Sequence, residues 1–162
     1  MKVQAGFTLI ELIITVTIAG VLMTVGIPSF REIIVNSQIS SQANEFIADL
    51  NYARSVAVTK KNTISICPST NSTSCGTGSQ WELGWIVIDT FNSANTVLRA
   101  HGPLNGGITL SSGAVTQIQY SNSGTANAQP TFQLRVSGCT GKQQRDISIS
   151  PTGRPTVTTV NC

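Results

Sequence analysis

The sequence has few charged and aromatic residues and almost no histidine. Of its 162 residues, 10% are charged, 6% are aromatic and only His101 is a histidine. It contains no GxxxxGK(S/T) phosphate loop, no HExxH zinc motif, no GxSxG nucleophile motif and no paired carboxylates in a polar segment. Because acid–base and nucleophilic catalysis depend on such groups, the sequence predicts no catalytic residue, no cofactor and no enzymatic activity.

Small polar residues take the place of the missing charges. Ser, Thr, Asn and Gly are abundant, and apolar residues make up 40% of the chain, which is too large a share for a disordered composition. This composition is common in exported β-rich domains. The length suffices for one membrane helix and one modest domain.

The first thirty residues contain a long apolar run. After a short polar leader that ends at Gly6, the run extends from Phe7 to Ile27, and one charge, Glu11, interrupts it. About 20 apolar residues span a bilayer as a helix, and a carboxylate inside such a run costs roughly 2.5–3.5 kcal/mol. We therefore expect a leader at residues 1–6, a transmembrane helix at residues 7–30 and a functional role for Glu11. The alternative is a plain membrane anchor in which this glutamate has no role.

An amphipathic helix is predicted for residues 31–61. Pro28 lacks an amide proton and should kink the helix without ending it. Lys60 and Lys61 lie at the expected carboxyl end, where cations meet the negative end of the helix dipole. Apolar residues spaced by three and four form one face, which should lie on a sheet: Ile39, Ala43, Phe46, Leu50, Ala53 and Ala57.

The remainder of the chain, residues 62–162, is predicted to be β-rich. Short β-prone runs alternate with turns that are rich in Gly, Ser and Asn, and residues 121–130 should form an exposed loop. The predicted strands are Thr63–Cys67, Trp85–Asp89, Thr96–Arg99, Ile108–Leu110, Ile118–Tyr120, Thr131–Val136, Asp146–Ile149 and Thr156–Val160.

Three aromatic residues, Trp81, Trp85 and Phe91, flank the second of these strands. Such a stripe can stack on bases or sugars, but it more often packs between a helix and a sheet. We expect the packing role for both tryptophans.

The four cysteines suggest disulfides, because their number is even and they follow an export-type segment. Four cysteines allow three pairings. We favour Cys67–Cys75, which closes a short loop, and Cys139–Cys162, which would hold the carboxyl end in place. The alternatives are a zinc site or free thiols. The chain has no CxxC pair and its histidine is remote in sequence, so we expect no metal site.

The string GFTLIEL at residues 6–12 closely resembles the processing site of type IV prepilins and pseudopilins. A secretory signal is cut after its apolar stretch, whereas this site is cut before it, so the helix would stay on the mature protein. The resemblance implies that a prepilin peptidase cuts after Gly6 and that the new amino terminus on Phe7 is methylated.

The same resemblance gives Glu11 a role in assembly. Its carboxylate would pair with the methylated amine of a neighbouring subunit, because an opposite charge relieves the cost of an unpaired charge in hydrocarbon. The alternative, protonation of Glu11, applies to the isolated subunit in the membrane.

Blocks along the rest of the chain narrow the resemblance. The helix end ARSVAVTKKN, then ISICPS with a later Cys, WELGWIVIDT, VLRA, and ISISPTGRPT with a terminal Cys resemble the FimT/GspH family of minor pilins and pseudopilins. This implies an α+β fold, the type IV pilin lollipop. In that fold a long N-terminal helix, transmembrane and then amphipathic, packs on an antiparallel β-sheet domain.

The family resemblance also implies a function and a location. A FimT-like minor pilin begins as a single-pass precursor in the bacterial inner membrane. It then joins other major and minor pilins in the pilus, and its C-terminal domain lies in the periplasm or outside the cell. The alternative is a GspH-like type II secretion pseudopilin with a purely structural role in a filament.

The excess positive charge lies in the last third of the chain. The formal net charge is +3, and the charges of residues 1–100 cancel. Residues 101–162 carry Arg135, Lys142, Arg145 and Arg154 against the single acidic residue Asp146.

We expect the Cys139–Cys162 disulfide to hold these four cations together and the turn at residues 153–155 to present Arg154 to solvent. Arg and Lys bind phosphate oxygens, and some FimT-type minor pilins of naturally competent bacteria bind DNA through basic residues in this region. The resemblance therefore implies non-specific binding of double-stranded DNA for natural transformation. Family members often carry a second arginine where this chain has Thr156. The alternative is a solvated surface with scattered cations.

Overall fold

A computed structural model describes residues 6–90 and 95–162, and it describes the side chains of these residues except at positions 25–29. A long helix, α1 (Leu9–Lys60), comes first, and a single 3-10 turn (Trp81–Leu83) precedes the second strand. The strands are β1 (Ile64–Pro68), β2 (Trp85–Asp89), β3 (Thr96–His101), β4 (Ile108–Ser111), β5 (Ile118–Tyr120), β6 (Thr131–Val136), β7 (Gln144–Ile149) and β8 (Pro155–Val160). Each predicted strand is confirmed, with its ends displaced by at most two residues.

The chain divides into two units, Met1–Ile34 and Val35–Cys162. In the first unit, the described helix side chains are exposed, including large apolar ones such as Leu9 and Phe30. The helix continues through Pro28, as predicted. Within the part of the chain that the structure describes, no helix is long and apolar enough to cross a membrane. The predicted transmembrane segment, residues 7–30, includes side chains that lie outside the described residues, and it stays a prediction.

The core of the second unit lies between α1 and the strands. The six residues predicted to form the apolar face of the helix are all buried, with Phe46 and Leu50 completely so. They pack against inward-facing residues of the strands in one continuous cluster, among them Ile66, Val87 and Leu134. The helix residues that repeat with a 3.6-residue period and the strand residues that repeat with a two-residue period therefore form one core.

Two four-stranded antiparallel sheets form the β part, in the orders β3-β2-β1-β5 and β4-β6-β7-β8. The predicted α+β class, with a helix packed on antiparallel strands, is confirmed. Alternation is regular in the second sheet, where Phe132 and Leu134 are buried and Gln133 and Arg135 are exposed.

An aromatic cluster fills the centre of this core. The ring of Phe46 lies edge-on to Trp81, Trp85 and Phe132, with centroid distances of 5.7, 4.9 and 4.8 Å. Such edge-to-face contacts are favourable beyond simple burial. The packing role predicted for Trp81 and Trp85 is confirmed, while Phe91 lies outside the described residues.

Two disulfides join the four cysteines in the favoured pairing. Cys67 bonds Cys75 with a Cα–Cα distance of 5.5 Å, and Cys139 bonds Cys162 with a Cα–Cα distance of 5.9 Å. Both distances are usual for disulfides. The second bond ties the segment after β8 to the turn between β6 and β7.

Candidate functional site

Arg154 lies at the tight turn between β7 and β8. The Ser150 N–H donates to the Arg154 carbonyl at 3.0 Å, and the Arg154 N–H donates to the Ser150 Oγ at 3.1 Å, which fixes the backbone on both sides. The guanidinium is exposed, and the structure gives it no hydrogen bond or ion pair with any described residue. The turn thus presents a free arginine to solvent, as the sequence predicted.

Gly153 has two reasons to be a glycine. Its φ is +77°, a conformation that L side chains rarely adopt. A Cβ here would overlap the Gly124 carbonyl oxygen and would lie 3.0 Å from the ring of Tyr120. The turn therefore packs backbone to backbone on the loop that follows β5.

Arg54 of α1 holds this turn in place, a role that the sequence analysis missed. Its Nε–H donates to the Gly124 carbonyl at 3.0 Å and to the Thr152 carbonyl at 3.2 Å. Below the turn, burial raises the pKa of the Tyr120 hydroxyl well above its usual range, and the charge of Arg54 partly offsets this effect. The helix, the loop and the turn are joined at one point beside Arg154.

Lys142 and Arg145 lie at the other end of β7, far from Arg154. Six residues of extended chain separate Gln144 from Ser150, which corresponds to roughly 20 Å. Lys142 is exposed and its side chain has no bond to a described residue. The Cys139–Cys162 disulfide lies at this end, because the Cys162 N–H donates to the Gly141 carbonyl at 2.9 Å.

The expectation of one cationic cluster is therefore wrong. The disulfide cannot hold Arg154 near the other cations, since β8 runs antiparallel to β7 and carries the chain from one end of the hairpin to the other. Sequence proximity suggested a cluster, but an extended hairpin places its turn and its open end far apart.

The guanidinium of Arg145, which was predicted to contact DNA, has internal partners in the structure. Arg145 lies opposite Leu134 on the helix-facing side of the sheet. Its guanidinium donates to the carbonyls of Lys142 and Gln144 at 2.9 and 3.0 Å and to the Ser40 Oγ at 3.2 Å. These internal bonds connect β7 to α1.

Arg135 lies on the opposite, outward face of the second sheet. Its side chain is exposed and has no bond to a described residue. A shallow cavity of about 390 Å³ adjoins it, lined also by Ser137, Gly138 and the Cys139–Cys162 disulfide. Arg135 is on β6, and one strand, β7, lies between β6 and the edge strand β8.

The polar contacts between α1 and the first sheet are structural. Asp49 is buried and accepts hydrogen bonds from the Trp85 Nε1–H and the Arg99 Nη1–H, both at 2.8 Å. Hydrogen bonding to Asp49 raises the pKa of Arg99 above its usual range. The guanidinium of Arg99 also lies 4.2 Å from the ring centre of Tyr52.

Two further polar contacts lie along the helix. Glu45 contacts the His101 Nε2 at 2.9 Å, and Lys60 contacts Asp89 at 3.1 Å. Within the described ranges, no three His, Cys, Asp or Glu residues are grouped so that they could hold a metal ion.

Glu11 occupies the third position of α1, four residues after Phe7, the first residue after the predicted cleavage site. Thr8 accepts a hydrogen bond from the Glu11 N–H at 3.3 Å and so caps the start of the helix. A carboxylate in the first turn is favoured by the positive end of the helix dipole. Gly6 and Phe7 precede the helix, and Phe7 is 84% exposed.

Two family models match this chain, one at its amino terminus and one over most of its second unit. Residues 42–153 match the family described as type II transport protein GspH, and residues 1–27 match the prokaryotic N-terminal methylation motif. The chain belongs to the GspH family. Its class is that of the minor pilins and pseudopilins of type IV pili and type II secretion systems.

Solved structures share the fold. The type IV minor pilin FimU of Pseudomonas aeruginosa is similar with a TM-score of 0.62 and 26% identity, over 75% of this chain and 89% of that one. The minor pseudopilin EpsH of Vibrio cholerae has a TM-score of 0.56 and 11% identity, over 76% of this chain and 97% of that one, a similarity of fold alone.

Similar proteins of known sequence match a shorter stretch. A fimbrial protein of Pseudomonas aeruginosa is 37% identical over 65 residues, which cover 40% of this chain and 42% of that protein. The fimbrial protein EcpC of Eikenella corrodens is 42% identical over 43 residues, which cover 26% of this chain and 28% of that protein. The chain thus matches less than half the length of these relatives.

Proposed function

We propose that this protein is a FimT-like minor type IV pilin that assembles into or primes a pilus and binds double-stranded DNA without sequence preference for natural transformation. The observation that carries the DNA-binding part is the free guanidinium of Arg154, which a doubly anchored turn holds in solvent. An exposed arginine on a fixed backbone suits the bidentate binding of phosphate oxygens.

Lys142 is the second proposed DNA contact. It is exposed and unbonded to any described residue, and it lies at the far end of the same hairpin. Arg135 should contribute less to DNA binding than Arg154 and Lys142, because it lies on β6, two strands inward from the β8 edge of the sheet. Arg145 is not a proposed contact, because its guanidinium has internal partners.

The same proposal covers processing and location. A prepilin peptidase would cut between Gly6 and Phe7, and the Phe7 amine would be methylated and would pair with Glu11 of a neighbouring pilin. The precursor would span the inner membrane once, and the mature domain would lie in the periplasm or outside the cell. The protein would act by assembly and binding, without enzymatic activity.

The alternative is a GspH-like pseudopilin of a type II secretion system, with a structural role in a short filament. The match of residues 42–153 to the GspH family favours it. The two functions differ in surface chemistry, since a secretion pseudopilin needs no affinity for DNA.

DNA binding by the full chain in neutral detergent micelles separates the two. Fluorescence anisotropy with a labelled duplex would be measured for the wild type, Arg154→Gln and the charge-preserving control Arg154→Lys. We expect Arg154→Gln to weaken binding by about tenfold or more, and Arg154→Lys to retain most of it. Equal affinity of all three proteins would remove Arg154 from the site, and absence of binding at low salt would favour the pseudopilin.

A further inference from the structure

Strand β8 is an open edge of the second sheet. It pairs with β7 along its whole length without a bulge, and no other described strand pairs with it. Residues 156–159 are all exposed, and the strand PTVTTV contains no charge. Open edges of this kind are normally blunted by charges, bulges or a covering segment, so this edge is available for a partner.

The register shows which backbone groups point away from the sheet. The Ser150 N–H donates to the Arg154 carbonyl, and Pro155 lies opposite Ile149. In an antiparallel ladder this bond flanks a pair that is not itself hydrogen-bonded. Alternate residues of β8 therefore direct their N–H and C=O groups outward from position 155, and two of them, Val157 and Thr159, carry an outward N–H. Pro155 has no N–H to offer, which suits an edge position.

A hydroxyl group and two cationic side chains lie near the outward N–H groups. The N–H groups are two residues apart, or about 7 Å. The exposed Thr159 hydroxyl has no bond to any described residue and adds a further donor. Arg154 lies at one end of the strand and Lys142 at the other, roughly 20 Å apart.

Among the described residues, one side-chain carboxylate lies close to this strand. Asp146 is on the neighbouring strand opposite Thr158, and the Gln144 amide donates to it at 2.7 Å. The donors of the edge therefore face a local surplus of positive charge.

We propose that the β8 edge is a track for the sugar–phosphate backbone of duplex DNA, with cations at both ends and neutral backbone donors between them. The proposal rests on the proposed function and specifies how the DNA lies. Measured along the duplex axis, a length of 20 Å corresponds to about six base-pair steps at 3.4 Å each. The outward N–H groups of Val157 and Thr159 donate to phosphate oxygens within this length.

The chemistry of the surface favours backbone contact over base contact. Proteins that bind single strands stack bases on exposed aromatic rings. In the second unit, none of the described aromatic side chains is exposed; Tyr52, the least buried, lies beneath Arg99. A duplex, whose phosphates face outward, fits this edge.

Neutral donors and cations have different salt signatures, which gives the test. Each phosphate neutralised by a cation contributes about −0.9 to the log–log salt slope of binding, whereas a neutral hydrogen bond contributes nothing. Binding of the full chain to a 20-base-pair duplex would be measured at several salt concentrations for the wild type, Lys142→Gln, Val157→Pro and Arg135→Gln.

We expect Lys142→Gln to reduce the slope by about one unit. Val157→Pro removes an outward N–H that does not pair with β7, in a strand that already accepts a proline at such a position. It should weaken binding by about tenfold with an unchanged slope. Arg135→Gln removes the same charge as Lys142→Gln but lies off the track, and it should have little effect.

The outcomes separate the two proposals. If the wild type binds and Arg154→Gln weakens binding, but Lys142→Gln and Val157→Pro have no effect, the track is wrong and the proposed function stands. If the wild type does not bind at low salt, both are wrong. Melting curves show whether Val157→Pro is folded; if it is not, Lys142→Gln against Arg135→Gln decides the question.

Discussion

The Nε–H of Arg54 donates to the Thr152 carbonyl at 3.2 Å across 98 residues of sequence, and so ties the helix to the turn that carries Arg154. The same Nε–H also donates to the Gly124 carbonyl. An exposed arginine that binds a partner loses less conformational freedom when its backbone is already fixed. The anchored turn is therefore the structural basis of the proposed binding site.

Replacing Gly153 by alanine tests the packing of this turn. The positive φ alone costs about 1–2 kcal/mol for an L side chain, and the overlap with the Gly124 carbonyl adds to it. We expect a total loss of more than about 3 kcal/mol in the free energy of unfolding, measured by denaturant titration. The control is Gly138→Ala, which has a similar φ of +72° but no atom within 4 Å of its Cβ. Equal losses for the two variants would contradict the close approach.

Replacing Asp49 by alanine should be strongly destabilising. It leaves the buried indole N–H of Trp85 without an acceptor and removes the partner of Arg99. We expect a loss of about 2–3 kcal/mol, measured by denaturant titration. Glu45→Ala removes the contact of a 50% exposed carboxylate with the His101 Nε2, and it should cost at most about 1 kcal/mol. A smaller loss for Asp49 than for Glu45 would refute this assignment.

The two disulfides should stabilise the domain unequally. Their sequence separations are 8 for Cys67–Cys75 and 23 for Cys139–Cys162. The chain-entropy relation gives about 2.5 kcal/mol for the first disulfide and about 3.4 kcal/mol for the second. Replacing both cysteines of Cys139–Cys162 by serine should lower the melting temperature more than replacing both cysteines of Cys67–Cys75. Reducing agent should lower the melting temperature of the wild type. A melting temperature that does not respond to reductant would argue against both bonds.

Replacing Glu11 by alanine should impair assembly and leave processing largely intact. The helix cap uses the Glu11 backbone N–H, not its carboxylate, so the local helix should persist. Mass spectrometry of the amino terminus reports cleavage and methylation, and sheared filaments report incorporation. Glu32→Ala removes a carboxylate elsewhere on the same helix and serves as the control. Normal incorporation of Glu11→Ala into filaments would contradict the proposed pairing of Glu11 with the amino terminus of a neighbouring pilin.

Much of the fold could be predicted because it follows from local periodicity. The spacing of Phe46 and Leu50 identified the buried helix face, and alternation such as that of Phe132 and Leu134 identified strands. The cysteine pairing followed from loop length and from the position of Cys162. These signals are local in sequence, and the residues that they identified are buried in the core.

The arrangement of the cations could not be predicted in the same way. Whether Arg154 and Lys142 meet depends on the register of a hairpin, which is a long-range property. One missed signal was local, since Arg145 alternates with Ile147 and Ile149 and so belongs to the inward face. The hydrogen bonds from Arg54 to the turn depend on how α1 packs against the turn, and no pattern in the sequence specifies this packing.

The most direct measurement of the central claim is the salt dependence of duplex DNA binding by the full wild-type chain, between 50 and 200 mM salt. With Arg154 and Lys142 as the main phosphate contacts, each contributing about −0.9, we predict a log–log slope of about −2. The same slope should be obtained with unrelated duplex sequences. Binding with a slope near zero, or no binding at 50 mM salt, would contradict the account and leave a structural subunit of a filament.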